Sequence, residues 1–273
     1  MEIEWNGIRL FYSKTGTGPE NLLLFHGFGQ HRTVFNDLAH QITSRYTCYS
    51  FDLFFHGEDS HTRYSKPIST EEWNALLSAF LTHENIRRFS MLGFSIGARL
   101  VLSAIPLFMT RLNTVYLIAP EGITTNIWYR LATATKPGRY VFRRFVQRPG
   151  YFFAAAEGVE RMGLLPAKVG RFARKMMESD AKRRRVYDTW MMLSELKTDQ
   201  QELIESLNNA SIQVVIILGK RDRIIPAAPI LEFARKLRQK AVVHQINSAH
   251  VPMIRNVSKD CDKIFISGSD IQY

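Results

Sequence analysis

Apolar residues along this chain fall into short uninterrupted runs, separated by segments in which apolar positions recur every three or four residues. The runs cover residues 22–25, 47–53, 89–94, 114–119, 212–218 and 241–246. Because they lack polar alternation, they are typical of parallel strands buried on both faces. Amphipathic helices fit the segments 34–42, 70–81, 96–108 and 226–237. This alternation predicts an α/β fold with a mostly parallel central sheet flanked by helices.

Two parts of the chain depart from the alternation. The first seventeen residues fit a hairpin around Asn6-Gly7, a dipeptide that favours a two-residue turn. Residues 121–209 hold no convincing strand, and Arg, Met and aromatic residues recur there at helical spacing. We therefore predict a core of residues 1–120 and 210–273, interrupted after the sixth strand by a helical cap insertion of residues 121–209.

The charge of the chain raises the question of an anionic partner, since its formal net value is +11. Residues 121–205 carry 16 Lys and Arg against 10 Asp and Glu, and the sharpest basic run is 182–185. A solvated helix face is the ordinary interpretation of such a run, and a weak contact of the basic cap with anionic membranes is the alternative. No motif indicates nucleic-acid binding, so we expect a small-molecule substrate and no nucleic-acid partner. The oligomeric state is not indicated.

The compartment is suggested by the cysteines and by the start of the chain. Cys48 and Cys261 are too few for a disulfide framework and lack metal-ligand spacing. The first residues are acidic, unlike a signal peptide, and no apolar stretch reaches the ~18–20 residues of a membrane span. We expect a cytoplasmic protein, and nothing in the sequence indicates a metal or an organic cofactor.

The strongest chemical motif is Gly93-Phe94-Ser95-Ile96-Gly97, which lies between a buried strand and a helix. A sharp turn at this point would raise the serine hydroxyl above the sheet edge, and the two glycines would let strand and helix approach closely. The helix start would also place free N–H groups beside the reacting oxygen. We predict Ser95 as a nucleophile, and a purely structural glycine-rich turn is the alternative.

A second glycine-rich turn, His26-Gly27-Phe28-Gly29, follows the apolar run at 22–25. A turn of this kind can direct a backbone N–H towards the place where negative charge develops during acyl transfer. We predict that the N–H groups of Phe28 and Ile96 form an oxyanion hole. An ordinary strand-to-helix turn explains this segment equally well.

A serine nucleophile needs a base, and the base needs an orienting carboxylate. His250 follows the last predicted strand at its carboxyl end, the edge where α/β sheets bring their reacting groups together. The other seven histidines fit turn, strand or surface positions better. Asp222 follows the run at 212–218 and is the preferred acid, whereas Glu121 follows the run at 114–119 and stays a competitor. The order Ser95, Asp222, His250 matches one known chain order of such triads.

These motifs together resemble the α/β-hydrolase fold family, in particular the branch with His-Gly-x-Gly after the third strand and a helical cap. Residues 51–60 resemble that branch's Asp-x-x-Gly-His-Gly-x-Ser loop, although Phe55 replaces a glycine and one extra residue precedes Ser60. Residues 219–226 resemble the family's Gly-x-x-Asp-x-x-x-Pro segment, which carries the acid. The resemblance therefore favours Asp222 over Glu121.

The resemblance implies a serine hydrolase, and we expect it to cleave carboxylic esters with a small or medium apolar acyl group through an acyl-enzyme. The segment 93–100 also resembles the elbow of the menaquinone-pathway synthase that eliminates pyruvate. A carbon–carbon bond hydrolase or such a lyase, with Arg99 holding a carboxylated substrate, is thus an alternative. A non-enzymatic binding protein of the same fold is a second alternative.

Candidates for an acyl pocket are Trp128, Tyr129, Phe142, Phe145, Phe152, Phe153, Trp190, Met191 and Met192.

Overall fold

The fold is built on one eight-stranded sheet in a computed structural model that describes residues 1–61, 65–123, 127–164 and 167–266. The strands are β1 Glu2–Trp5, β2 Ile8–Thr15, β3 Glu20–Phe25, β4 Tyr46–Phe51, β5 Phe89–Phe94, β6 Leu112–Ile118, β7 Gln213–Gly219 and β8 Ala241–Ile246. Their order across the sheet is β1-β2-β4-β3-β5-β6-β7-β8. The β1–β2 and β2–β4 pairs are antiparallel, and all the other pairs are parallel. The predicted α/β class with a mostly parallel sheet is confirmed.

The amino-terminal hairpin forms as predicted. Asn6 and Gly7 both adopt left-handed backbone angles, with φ of 51° and 77°. Two such residues in succession make the turn that matches the twist of the flanking strands. Trp5 therefore pairs directly with Ile8, and β1 continues antiparallel along β2.

Helices flank the sheet or follow β6. They are α1 Asn36–Gln41, α2 Thr70–His83, α3 Gly97–Phe108, α4 Ile127–Thr133, α5 Lys136–Gln147, α6 Pro149–Arg161, α7 Ala167–Met176, α8 Asp180–Met192, α9 Gln200–Asn209, α10 Ala227–Lys236 and α11 Met253–Lys259. The predicted helix at 34–42 is divided, because residues Arg32–Phe35 form a 3₁₀ turn before α1. Helix α2 begins at Thr70, because Ser69 and Glu72 form a reciprocal capping box that satisfies the free N–H groups of its first turn.

Two apolar layers explain why the central strands carry no polar alternation. Leu23 and Phe25 of β3 face the layer that contains α2, α3 and α10, whereas Leu22 and Leu24 face the layer of α1 and α11. Successive side chains of a strand point to opposite faces, so a strand covered on both sides needs apolar residues at every position. All four of these residues are fully buried.

The chain between β6 and β7 is helical, as predicted, and we refer to α4–α8 as the inserted helices. Phe142, Val146, Met177 and Val186 form a separate small core among them. Helix α9 differs, because its buried leucines belong to the apolar layer of α2, α3 and α10, which we call the main core. The predicted division at residues 121 and 209 stays a prediction, and the burial of α9 favours an insertion that ends earlier. Across the described ranges, no helix has both the length and the apolar character to span a bilayer.

Candidate active site

Ser95 lies in the sharp turn between β5 and α3, with a left-handed backbone φ of 52°. This conformation is unfavourable for a residue with a side chain and persists only where its surroundings hold it. The Ser95 N–H donates to the carbonyl of Ile118 at 3.0 Å, and the Ser95 carbonyl accepts from the N–H of Glu121 at 3.0 Å. The end of β6 therefore holds the strained turn, and the Ser95 side chain is 7% exposed.

Glycine is required on both sides of this turn, at Gly93 in β5 and at Gly97 in α3. A Cβ atom at Gly97 would lie 2.3 Å from the carbonyl oxygen of Phe25 and 2.6 Å from that of His26. A Cβ at Gly93 would lie 2.6 Å from the Cα of Ala98. These neighbours are backbone atoms, so they cannot swing away as a flexible side chain could. The close approach of α3 to β3 and β5 thus depends on the two glycines.

We expect Gly97→Ala to lower the free energy of unfolding by at least about 2 kcal/mol, because the new methyl group forces backbone apart. Gly158→Ala in α6 is the matched control, since its Cβ would meet nothing within 4 Å. That change should stabilise the protein by about 0.5–1 kcal/mol through helix propensity. Denaturant unfolding of both variants checks the pair, and equal effects at the two positions would contradict the packing argument.

Ser95, His250 and Asp222 are joined in one chain of hydrogen bonds. His250 Nε2 lies 3.0 Å from Ser95 Oγ, and His250 Nδ1 lies 2.7 Å from Asp222 Oδ2. The second carboxylate oxygen, Oδ1, accepts from the N–H groups of Ile224 at 2.8 Å and Ile225 at 3.1 Å. The structure thus brings together the three side chains that the sequence predicted, although they are separated by up to 155 positions.

The surroundings of His250 define its orientation. Its side chain and that of Asp222 are almost completely buried, and the Phe94 ring packs 5.1 Å from the imidazole. A carboxylate beside Nδ1 favours the tautomer in which Nδ1 carries the proton and Nε2 is free to accept. The arrangement can therefore take a proton from the Ser95 hydroxyl.

Glu121, the competing acid, lies in a different contact. Its Oε1 accepts from Arg99 Nε at 3.2 Å and from Arg99 Nη2 at 3.1 Å. The guanidinium of Arg99 also lies 3.9 Å from the ring centroid of Tyr129 in α4. Asp222 is the acid that reaches His250, and Glu121 connects the Ser95 turn to Arg99. Strand position alone could not separate them, because both carboxylates follow a parallel strand at the same sheet edge, and it was the family resemblance of residues 219–226 that favoured Asp222.

Two buried histidines hold the Phe28 turn in place. His26 Nε2 accepts from the N–H of Leu53 at 3.0 Å, and His56 Nε2 accepts from the N–H of Gly29 at 3.0 Å. In each ring Nδ1 donates to a nearby backbone carbonyl at 2.8 Å. Both rings are therefore neutral and link the turn to the loop after β4. Burial lowers the pKa of each to about 3.

These two histidines should make the fold sensitive to acid. Their pKa is near 6.5 in the unfolded chain and about 3 in the native protein, so below pH 6.5 the unfolded state binds more protons. The free energy of unfolding should fall by about 4 kcal/mol between pH 7 and pH 5 from the two rings together. In His56→Gln, which keeps a donor and an acceptor, the fall should be about half as large. Denaturant titrations at both pH values test this, and an identical fall in the variant would disprove it.

The N–H groups of Phe28 and Ile96 were the predicted oxyanion donors. Ile96 directly precedes α3, where helix N–H groups have no partner within the helix. Within the described part of the chain, no oxygen accepts a hydrogen bond from either N–H group. Because Gly97 packs on the carbonyls of Phe25 and His26, the Phe28 turn begins directly beside the Ser95 turn. Both donors are placed at the edge where Ser95 lies.

Phe55 occupies the position where the resemblance implies a glycine. Its backbone φ of 66° is left-handed, which explains why glycine is favoured there. The phenylalanine is nevertheless buried in the main core, and its N–H donates to Asp59 Oδ2 at 2.8 Å. Core burial and this hydrogen bond offset the backbone strain. The side chain of Ser60, which ends the same motif, lies outside the described residues.

The inserted helices lie against the Phe28 turn. Phe28 is half-buried and packs both on the main core and on the small core of the inserted helices. Trp190 of α8 contacts Tyr129 and Phe142, with ring centroids 5.2 Å and 5.4 Å apart, and its carbonyl accepts from the Tyr129 hydroxyl at 3.2 Å. Several predicted pocket residues thus pack on one another beside the site. The Trp128 side chain is outside the described part of the chain.

A metal centre finds no support among the described residues, where no group of three or more His, Cys, Asp or Glu side chains could hold an ion.

Comparisons with known proteins agree with this architecture. A family model described as the α/β hydrolase fold matches residues 20–257. A thermophilic esterase from Thermogutta terrifontis superimposes with a TM-score of 0.69 at 20% identity, over 96% of each chain. The enol-lactonase from Burkholderia xenovorans gives a TM-score of 0.65 at 14% identity, over 97% of this chain and 99% of that one. At such identities the two structures show a shared fold.

Among curated sequences, an uncharacterised protein of Mycobacterium tuberculosis is 29% identical over 132 residues. The match covers 47% of this chain and only 37% of the relative, so it extends over about a third of the curated protein's length. The family model carries the assignment, since it spans strands β3 to β8, the Ser95 turn and the loops of Asp222 and His250. The chain belongs to the α/β-hydrolase fold family.

Proposed function

We propose that this protein is a serine hydrolase that cleaves carboxylic esters with small or medium apolar acyl groups. The observation that carries the proposal is the hydrogen-bonded chain from Asp222 through His250 to the strained Ser95. A carboxylate, an imidazole and a serine hydroxyl in this order form the arrangement that acyl transfer uses on several unrelated folds. The family assignment supports hydrolase activity, and the ester preference is the finer part of the proposal.

In the first half of the reaction, Ser95 Oγ attacks the ester carbonyl carbon while its proton passes to His250 Nε2. Asp222 accepts the hydrogen bond from Nδ1 and stabilises the imidazolium that forms. Two backbone N–H groups hold Asp222 itself, so the carboxylate cannot rotate away from the ring. His250 then returns the proton to the leaving alcohol, which leaves an acyl-enzyme on Ser95.

In the second half, His250 takes a proton from water, and the hydroxide attacks the acyl carbon. Both tetrahedral intermediates carry negative charge on the former carbonyl oxygen. The N–H groups of Phe28 and Ile96 would bind this oxygen, and donors held in place before the reaction cost no reorganisation. Ser95 is finally released with its proton restored.

The apolar acyl group is supported by the surroundings of the site. Ser95 and His250 are nearly buried, and aromatic side chains of the inserted helices pack beside Phe28. Pockets for small ligands are mostly apolar with a few polar groups at the reacting centre. We therefore propose that the inserted helices act as a cap over the acyl pocket.

The alternative reaction on a carboxylated substrate loses part of its support. That hypothesis used Arg99 to hold the substrate carboxylate, but Arg99 is buried, paired with Glu121 and stacked on Tyr129. Displacing Glu121 from a buried guanidinium would cost the enzyme a charge-assisted pair. Ester hydrolysis needs no such displacement.

A panel of nitrophenyl esters with acyl chains from acetyl to decanoyl tests the proposal. We expect turnover with kcat/KM highest for a short or medium chain, and labelling of the protein by a fluorophosphonate probe. A folded protein that is labelled but turns over no ester would point to a specialised substrate. One that is neither labelled nor active would support the non-enzymatic alternative.

A further inference from the structure

Like residues 233–259, residues 122–156 form a long stretch that carries several basic residues and no acidic one. This stretch contains six Lys and Arg residues and neither Asp nor Glu. The six are Arg130, Lys136, Arg139, Arg143, Arg144 and Arg148. They belong to α4, to α5 and to the junction of α5 with α6.

These six side chains also lack acidic partners. In the part of the chain that the structure describes, none of them forms a salt bridge. Several cations of α7 and α8 differ, because Arg174 pairs with Glu160, Lys182 with Glu178, and Arg184 with Asp180. Arg171, Lys175 and Arg185 of the same two helices form no salt bridge in the described structure. The run at 182–185, which looked sharpest in the sequence, is thus largely neutralised, whereas every cation of α4 and α5 is without a salt bridge in the described structure.

Exposed apolar side chains accompany this charge. Seven of the ten large exposed hydrophobic residues in the described structure lie between residues 127 and 164. Leu131, Tyr140, Val141 and Tyr151 are each between 47% and 59% exposed, next to the unpaired cations in the chain. Scattered exposed apolar residues are ordinary on a soluble protein, but a concentration of them on one surface marks an interaction site.

Helix α5 places both features on one face. Phe142 and Val146 point inward to the small core, so the opposite face carries Lys136, Tyr140, Arg143 and Arg144. The guanidinium of Arg144 lies 5.2 Å from the ring centroid of Tyr140, and its Nε donates to the Tyr140 hydroxyl. This is the pattern of a helix that lies in a membrane interface, with basic side chains beside aromatic and aliphatic ones.

We propose that the outer face of α5, together with Leu131 and Tyr151, binds the surface of an anionic phospholipid bilayer. The unpaired cations supply long-range attraction to lipid phosphates, and the exposed apolar side chains enter the boundary with the acyl chains. A nucleic acid would meet the same charge but would leave Leu131 and Val141 without an apolar partner. The membrane therefore accounts for both features of the face.

Docking in this way brings the bilayer near the candidate active site. The inner face of α5 contacts the small core on which Phe28 packs. One helix diameter, about 10 Å, therefore separates the outer face of α5 from that core. If the proposed ester hydrolysis holds, membrane-partitioned acyl substrates would enter from this side. The docking itself does not depend on that activity.

The test uses the full chain and sedimentation with vesicles of phosphatidylcholine alone or with 30–40% phosphatidylglycerol, an amount chosen to give a strongly anionic surface. A double variant, Arg143→Glu with Arg144→Glu, reverses the charge of the face. Its matched control, Arg255→Glu with Lys259→Glu, makes the same change on two exposed cations of α11.

A third variant, Tyr140→Ser with Val141→Ser, removes apolar side chains and keeps the charge.

We expect binding to the anionic vesicles only, weakened by salt. Each basic side chain near such a surface strengthens binding about fivefold, so the α5 double variant should bind at least about 30-fold more weakly. The α11 control should change binding by less than about threefold, and the serine variant should lose the binding that remains at high salt. Turnover of a soluble nitrophenyl ester should be unchanged in all three, which separates docking from catalysis.

Other outcomes would overturn the proposal. Absence of vesicle binding at low salt would do so directly. Equal weakening of binding by the α5 and α11 variants would also do so, because binding would then depend on the net charge of the protein and not on the α5 face. Binding of a random-sequence RNA or DNA duplex in competition with vesicles, lost in the α5 charge variant and kept in the serine variant, would assign the face to nucleic acid.

Discussion

Ser95→Ala should lower kcat for the best nitrophenyl ester by at least about 10³-fold and by as much as about 10⁶-fold, because the attacking oxygen is lost. The residual rate would come from substrate binding and the oxyanion donors alone. The variant should still fold, since the turn is held by the backbone hydrogen bonds of Ser95 to Ile118 and Glu121. Steady-state kinetics with purified protein, together with a denaturant titration, measure both.

Ser90→Ala is the matched control for this variant. Ser90 lies in β5, five positions earlier, and its hydroxyl is buried without a hydrogen-bond partner in the described structure. Removing an unsatisfied buried hydroxyl should leave activity within about twofold and stability unchanged or higher. Near-normal turnover in Ser95→Ala would remove Ser95 from the mechanism.

Asp222→Asn should lower kcat by about 10⁴-fold while the fold is kept, the second largest effect that we expect. An amide in place of the carboxylate no longer enforces a proton on His250 Nδ1, so the ring can present the wrong tautomer to Ser95. The loss should appear in kcat more than in KM, because Asp222 touches the imidazole and not the substrate.

Glu121→Gln tests the competing assignment of the acid. Its carboxylate contacts Arg99 and not His250, so kcat should fall by less than about tenfold. Stability should fall instead, because the buried guanidinium of Arg99 loses its charged partner. A loss of kcat in Glu121→Gln as large as that in Asp222→Asn, in folded protein, would contradict the assignment of Asp222.

The fold was predictable from the sequence to a large extent because the central strands are covered on both sides. Every strand that follows the amino-terminal hairpin begins and ends within two residues of the apolar run that predicted it. Helix α11 was missed, since it is only seven residues long and follows the His250 loop without a clear apolar period. The split before α1 was missed because a 3₁₀ turn and an α-helix bury similarly spaced residues.

The site was less accessible to sequence reasoning, and the reason is geometric. Strand ends place Ser95, Asp222 and His250 at one edge of the sheet, which a linear pattern can predict. Side-chain pairing across that edge has no counterpart in the linear pattern, so the pair of Glu121 with Arg99 was not foreseen. The pairs of Lys182 with Glu178 and of Arg184 with Asp180 are different, because their partners lie four positions apart in the chain, a spacing that the sequence itself shows.

Whether Ser95 is the nucleophile can be determined by locating a fluorophosphonate adduct by mass spectrometry. Trypsin should release residues 89–99 as one peptide, in which Ser90 and Ser95 are the only serines. We expect one adduct per chain, assigned to Ser95 by fragmentation, absent in Ser95→Ala and present in Ser90→Ala. An adduct on any other residue of the active protein, or full ester turnover after Ser95 has been modified, would contradict it.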